Sequence, residues 1–234
     1  MIISHRNKYI FIKNRKTAGT STELILVQSC GPDDIITITP HGRSIGSSFN
    51  NNPKLPGPQN HRMPLYKYRM SDWTKLLTKG KVKRRFYNHA PADYIRAEIN
   101  ADIWKNYYKF CFERNPFDKA VSLYYWQKHG LKGEAPDDIN EYILSVQPER
   151  LSNWHLYSIK GALAMDFVGN YNSLEADLET IRSYLNLPSL GSLPKTKAGL
   201  RDNNLHYKNL LSPEAKARIE SICANEIKAF GFQW

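Results

Sequence analysis

Two short apolar runs, each followed by a turn and then by a helical pattern, constrain this chain more than any other feature of its sequence. Tyr9-Ile10-Phe11-Ile12 is rich in β-formers, and the Thr/Gly/Ser-rich turn after it leads into Glu23-Leu24-Ile25-Leu26-Val27, which continues as a helix. Tyr107-Tyr108-Lys109-Phe110-Cys111-Phe112 repeats the pattern. Pro116 stands where a first helical turn begins, and Phe117, Val121, Tyr124 and Tyr125 recur at helical spacing as far as His129. Ile35 to Thr39, ended by Pro40, and Met165 to Val168, ended by Gly169, read as further strands. Asp72 to Leu77 and Asp137 to Val146 read as helices, as does the stretch through Leu174, Leu178, Ile181 and Leu185 that Pro188 stops. Ser212-Pro213-Glu214 supplies an N-cap, a first-turn proline and an acidic residue for a last helix, with Ile219, Ile222, Cys223, Ile227 and Phe230 as its core face. Strands alternating with amphipathic helices predict an α/β fold with a central, mainly parallel sheet flanked by helices on both faces.

At 234 residues the chain suits one domain over 1–234. Pro40 to Pro64 is crowded with Gly, Pro, Ser and Asn, and the basic run Lys79 to Arg85 follows it, so residues 40–85 are expected to form an irregular insertion. A lid, an acceptor-binding loop and simple disorder all fit that composition, and the basic run by itself reads as a solvated surface loop. Lys and Arg number 33 against 22 Asp and Glu, a net charge of +11 that favours anionic partners. The basic residues match no zinc-finger, basic-zipper or RNA-recognition pattern, and nucleic acid is not expected. Cys30, Cys111 and Cys223 lie far apart and read as reduced, buried thiols; no metal-ligand cluster is visible. Met1 to Lys8 carries charge at once, unlike a signal peptide or a membrane anchor, and neither a transmembrane segment nor a glycosylation sequon occurs. The expectation is a soluble cytoplasmic protein, with peripheral attachment to a membrane left open. Oligomeric state is not readable.

Lys13-Asn14-Arg15-Lys16-Thr17-Ala18-Gly19-Thr20-Ser21 lies between the first strand and the first helix. Backbone N–H groups and the helix dipole at such a place hold phosphate or sulfate, with Lys16 adding a charge and the Thr and Ser hydroxyls adding donors. An ordinary helix start capped by Thr and Ser is the alternative. The nucleotide-triphosphatase loop Gly-x-x-x-x-Gly-Lys-Ser/Thr is not matched, because here the Lys precedes a single Gly, which disfavours a magnesium-dependent NTPase.

Phe11 to Ser21 resembles the 5′-phosphosulfate loop of the carbohydrate sulfotransferase family (sulfotransferase family 2-like), with Lys13-Asn14-Arg15 where those enzymes often have His-Ile-Pro. Phe112-Glu113-Arg114-Asn115-Pro116-Phe117 with Ser122 resembles the family's 3′-phosphate motif. Alone, Arg114 would read as a surface ion-pair partner and Ser122 as a helix-surface residue. Together the two motifs imply a P-loop-like three-layer fold and 3′-phosphoadenosine 5′-phosphosulfate (PAPS) as co-substrate, without a metal. The resemblance places Arg15, Lys16, Thr17, Ala18, Gly19, Thr20 and Ser21 at the 5′ end of PAPS and Arg114 and Ser122 at its 3′ end. It also makes Lys16 catalytic and places His89 of Phe86-Tyr87-Asn88-His89 where relatives have a general base; His61 and His155 are the weaker alternatives. Lys197 and Arg201, in a basic loop before the last helix, are implied cofactor contacts. The implied acceptor is a hydroxyl, on a saccharide or glycolipid, with Lys83, Arg84 and Arg85 as candidate contacts to an anionic one. The rival readings are a P-loop-like ATP-dependent kinase and a non-catalytic polyanion-binding module.

Overall fold

The two strong apolar runs become adjacent parallel strands. A computed structural model describes residues 1–38, 56–129, 135–189, 193 and 206–234. Its strands are β1 (Ile2–Ser4), β2 (Tyr9–Phe11), β3 (Ile35–Ile36), β4 (Tyr108–Glu113), β5 (Ser158–Ile159), β6 (Ala162–Leu163) and β7 (Phe167–Asn170). Five of them form one sheet in the order β3-β1-β2-β4-β7. β2 pairs in parallel with β4, Phe11 opposite Phe110, and β4 in parallel with β7, Phe112 opposite Gly169. β1 runs antiparallel to both β2 and β3, so β3, β2, β4 and β7 share one direction. β5 and β6 form a separate hairpin.

The helices are α1 (Gly19–Leu26), α2 (Met70–Lys79), α3 (Ala92–Glu98), α4 (Ala101–Asn106), α5 (Pro116–His129), α6 (Ile139–Ser145), α7 (Pro148–Leu151), α8 (Trp154–Tyr157), α9 (Leu174–Tyr184), α10 (Tyr207–Leu210), α11 (Pro213–Ile222) and α12 (Ala224–Phe230). Alternate side chains of a strand point to opposite faces of its sheet. Tyr9, Phe11, Phe110 and Phe112 therefore join Leu24 and Ile25 of α1 and Leu178 and Ile181 of α9 on one face. Ile10, Ile12 and Cys111 join Ala92 and Ile95 of α3 and Leu156 and Tyr157 of α8 on the other. That is the expected three-layer α/β arrangement. A third cluster packs α5, α6 and α11 together through Val121, Ile143 and Ile219.

The details depart from the sequence reading where tertiary packing intervenes. β1 escaped it, because three residues among charged neighbours carry no period; the sheet buries Ile2 and Ile3 completely. Gly169 does not stop its strand but lies inside β7, where a Cβ would come within 2.4 Å of the Phe112 ring, so the missing side chain lets the two strands pack. The last helix breaks at Cys223 into α11 and α12; Ile219 and Cys223 are buried, whereas Ile222, Ile227 and Phe230 are half-buried. The helix read over Asp72 to Leu77 is present as α2 but runs for ten residues, closed at its start by reciprocal Arg69 and Asp72 contacts and at its end by Gly80 at φ 60°. Cys30, Cys111 and Cys223 are buried free thiols.

Candidate active site

Because β2 and β4 are parallel neighbours, the loops that leave them open on one edge of the sheet, the usual place for a ligand in an open α/β sheet. The loop after β2 is held from below. Lys13 and Asn14 are buried, with the Lys13 Nζ paired to Glu23 of α1 and Asn14 Nδ2 donating to Phe112 O at 2.9 Å. Burial opposes the Glu23 charge, yet the Met1 and Lys13 ammonium groups overcome it and hold that carboxyl below its ordinary range. Gly19 is required where it stands, since a Cβ would approach Lys13 Cγ at 2.7 Å. Lys16 and Ala18 are both left-handed, at φ 62° and 57°. Each such residue costs about 1–3 kcal/mol, and strain of this kind gathers at binding loops. Left-handed residues interspersed before a helix curl successive N–H groups toward one concavity, and the first N–H groups of α1 have no intrahelical acceptor. No side chain caps α1, whose N-cap is Ala18; the Thr and Ser cap expected as the ordinary alternative is absent.

Arg114 follows β4 directly. Its Nε donates to Asp118 Oδ2 at 2.6 Å, its Nη1 donates to Lys16 O at 3.4 Å, and its guanidinium stacks 4.1 Å from the Tyr171 ring centroid. Lys16 in turn places its Nζ 5.5 Å from the centroid of Trp126. Asp118, Ser122 and Trp126 are four residues apart on α5 and so share one face of it. Ser122, half-buried, stands between the turn that holds Arg114 and the turn that meets Lys16. The two sequence motifs thus converge on one side of α5.

Beneath them lies a buried ionic knot. Asn153, fully buried, accepts from the Arg15 N–H at 3.1 Å and donates to Arg15 O at 3.1 Å and to Glu113 Oε1 at 3.2 Å. Lys119 of α5, also buried, pairs with Glu113 at 3.0 Å and with Glu226 of α12 at 3.8 Å. Burial pushes the Glu113 carboxyl up, whereas Lys119, despite its burial, is held above its ordinary range by Glu113 and Glu226. This knot ties the residue before Lys16 to the residue before Arg114. The Arg15 guanidinium turns away from the loop, donating to Glu149 O at 3.0 Å and lying 3.2 Å from His155 Nε2.

Of the three candidate histidines, the structure brings His89 to the loop, sets His155 beside the outward-turned Arg15 guanidinium and leaves His61 apart. His89, at φ 58°, puts Nδ1 2.7 Å from Lys13 O. A carbonyl only accepts, so Nδ1 carries the proton and Nε2 keeps its lone pair. Burial pushes the His89 pKa down to about 3; Lys13 and Arg15 add to that, and the Lys13 carbonyl opposes it. His155 meets the Arg15 guanidinium, and His61 is buried against the chain at Arg85 and Phe86, whose N–H groups donate to its carbonyl. In the basic run, Lys83 pairs with Asp72 at 2.6 Å and Arg85 with Glu98 at 3.1 Å, while Arg84 is exposed. Lys197 and Arg201 lie outside the described residues. Asp118, Trp126, Asn153 and Tyr171 were not singled out from sequence. Asp118 and Trp126 had a legible signal in their four-residue spacing from Ser122; Asn153 and Tyr171 had none.

This convergence is matched by comparison with known proteins. The family model described as "Sulfotransferase family" matches residues 1–233. The chain belongs to the sulfotransferase family. Carbohydrate sulfotransferase 14 of Homo sapiens is 28% identical over 157 residues, covering 53% of this chain and 41% of that protein; its Mus musculus counterpart is 27% identical with the same coverage. The chain therefore spans well under half of the length of these two relatives. An uncharacterized protein of Archaeoglobus fulgidus is 30% identical over 108 residues, 42% of this chain and 83% of that one. Mouse sulfotransferase SULT7A1, solved in complex with PAP, superposes with a TM-score of 0.50 at 12% identity, covering 97% of this chain and 87% of that one, which establishes a shared fold. The family membership and three-layer fold expected from the two motifs are both met, and the chain is an enzyme of that family.

Proposed function

We propose that this chain transfers the sulfuryl group of PAPS to a hydroxyl of a saccharide. One observation carries the reading: Arg114 donates to the Lys16 carbonyl, so two cationic cradles at the ends of adjacent parallel strands form one continuous surface. A nucleotide with anionic groups at both its 5′ and 3′ ends fits such a pair. The strained Lys16-Thr17-Ala18 turn, the Gly19 that only a missing side chain accommodates and the cationic donors on both sides fit the group itself. That the solved neighbour is complexed with PAP supports the same choice of nucleotide.

In this reading Lys16, Thr17, Ala18, Gly19, Thr20 and Ser21 hold the 5′ end, and Arg114 and Ser122 hold the 3′ phosphate. When bound, PAPS supplies an activated sulfuryl group whose bond to the bridging oxygen breaks as the acceptor oxygen bonds to sulfur. Lys16 and the loop N–H groups stabilise the charge that develops on the bridging oxygen, preorganised by the buried bonds of Lys13 and Asn14. His89 Nε2, left unprotonated by the Nδ1 bond to Lys13 O, accepts the acceptor's proton. Its depressed pKa keeps it neutral at pH 7, and an anionic nucleotide nearby favours the protonated form as the reaction proceeds. Arg15 acts through its backbone, which Asn153 grips, more than through its guanidinium. The saccharide acceptor is supported by the two carbohydrate sulfotransferase relatives.

Calorimetry with adenosine 3′,5′-bisphosphate, with and without magnesium, tests the nucleotide. Tight binding without magnesium is expected; binding of ATP that needs magnesium assigns a kinase, and binding only to long polyanions at low salt assigns a non-catalytic module. His89→Ala should leave the bisphosphate affinity unchanged and lower turnover by about 10²–10⁴-fold. Full turnover in that variant removes His89 from the mechanism.

A further inference from the structure

Away from this site, residues 56–85 carry nine Lys or Arg and a single acidic residue, Asp72. That one carboxylate is already taken by Lys83, and Arg85 is paired with Glu98. Lys67, Lys75, Lys79 and Lys81 are exposed. The same stretch holds α2, and a surface helix of a globular protein normally buries one apolar stripe. None of the ten residues of α2 is buried. Tyr66, Met70 and Leu77 are 84%, 83% and 81% exposed, and Leu65 is 55% exposed. Met70 and Leu77 are seven residues apart and so lie on one side of the helix. Trp73 stands between them in sequence, its ring 5.5 Å from that of Tyr68. Within the segment, Lys83 pairs with Asp72 of α2, and its N–H donates to the Tyr68 hydroxyl at 2.9 Å.

An exposed apolar side at Met70 and Leu77, with Lys75 and Lys79 on the opposite, polar side of the same helix, is the pattern of an interfacial helix. A soluble polyanion would satisfy the lysines but leave Leu65, Tyr66, Met70 and Leu77 in water. A second copy of the chain would cover the apolar side chains but bring together two segments that each carry nine Lys or Arg and one acidic residue. An anionic lipid surface answers both features, because its headgroups attract the lysines and its acyl boundary receives the apolar side chains. Among the described residues no helix is long and apolar enough to cross a membrane. We propose that α2, with its Met70 and Leu77 side entering the acyl boundary and Lys75 and Lys79 on its opposite side drawn by the headgroup charge, docks the protein onto an anionic membrane surface. This inference does not depend on the reaction proposed above.

Co-sedimentation of the full chain with phosphatidylcholine vesicles, with and without phosphatidylserine, tests it. Binding to the phosphatidylserine vesicles, weak binding to phosphatidylcholine alone and weakening by salt are expected. The double variant Met70→Asp/Leu77→Asp and the double variant Lys75→Glu/Lys79→Glu should each lose about tenfold or more in vesicle affinity, since both contributions act together. Both change exposed positions, so their thermal midpoints and their transfer to a soluble acceptor should match those of the starting protein. Trp73 fluorescence should shift to the blue with phosphatidylserine vesicles, and Trp73→Phe should remove that shift. The proposal is overturned if the starting protein stays in the supernatant, or if Met70→Asp/Leu77→Asp binds vesicles as well as it does. It is also overturned by concentration-dependent self-association that Met70→Asp/Leu77→Asp abolishes, which assigns the face to a second copy. Heparin binding without vesicle binding assigns it to a soluble polyanion.

Discussion

The candidate nucleotide cradle and the α2 segment are both rich in cations, but they hold them in opposite ways. In the cradle, Lys13 and Lys119 are buried, Lys16 and Arg114 lie against aromatic rings, and the backbone between them is pinned by Asn14 and Asn153. In α2 no residue is buried and most of the lysines face solvent. A net charge of +11 does not distinguish the two regions, whereas burial and partners do. A cation in a rigid, partly dry frame serves fixed geometry, and a cation on a solvated helix acts through long-range attraction.

The contrast can be broken most severely at Lys119. Removing its charge by Lys119→Met leaves Glu113 and Glu226 buried without a counter-ion and should cost about 3–5 kcal/mol of stability, measured by denaturant unfolding. A loss no larger than that of a surface lysine would show that the knot beneath the cradle is not structural. Acidification probes the same region. The folded protein holds His89 at a pKa of about 3, against the ordinary histidine value of 6.5 that the unfolded chain regains, so between those values the unfolded chain binds more protons and stability falls as the pH falls. At about 1.4 kcal/mol per pKa unit the loss amounts to a few kcal/mol by the bottom of that window. His89→Gln should flatten this limb in pH-dependent thermal unfolding, and an unchanged slope would place the titration elsewhere.

Lys16→Ala and Arg114→Ala should each lower kcat/KM by about 10²–10³-fold while far-ultraviolet circular dichroism stays unchanged. Normal activity in either would separate the two cradles. Asn153→Ala should cost about 1–3 kcal/mol of stability and raise the KM for PAPS more than it lowers kcat, because it frees the Arg15 backbone and not a reacting group. The smallest effect belongs to α2, where Lys79→Ala should shift unfolding by no more than about 0.5 kcal/mol. A larger shift there would mean that α2 is built into the fold as firmly as the cradle.

Much of the cradle was legible because its signals are local. A β-forming run, a small-residue turn and a helix start are neighbours in the chain, and Arg114, Asp118, Ser122 and Trp126 are tied together by helical spacing. Asn153 and Tyr171 gave no such signal: an Asn beside a Trp and a Tyr beside an Asn look like any other polar or aromatic positions. Only chain pairing brings the first to Arg15, 138 residues away, and the second over Arg114. Gly169 was misread as a terminator for the same reason, since what forbids its side chain is the Phe112 ring on the neighbouring strand.

The sequence by itself determined the α/β class, the two strand-end loops and the residue types able to hold anions there, because periodicity and turn chemistry are set by near neighbours. The tertiary structure alone decided that β2 and β4 lie side by side in parallel, so that both loops open on one edge and Arg114 reaches Lys16 across 98 residues of chain. It also decided that the apolar side chains of α2 face outward. Both outcomes depend on which distant surfaces pair and bury one another, and near neighbours in the chain do not encode that.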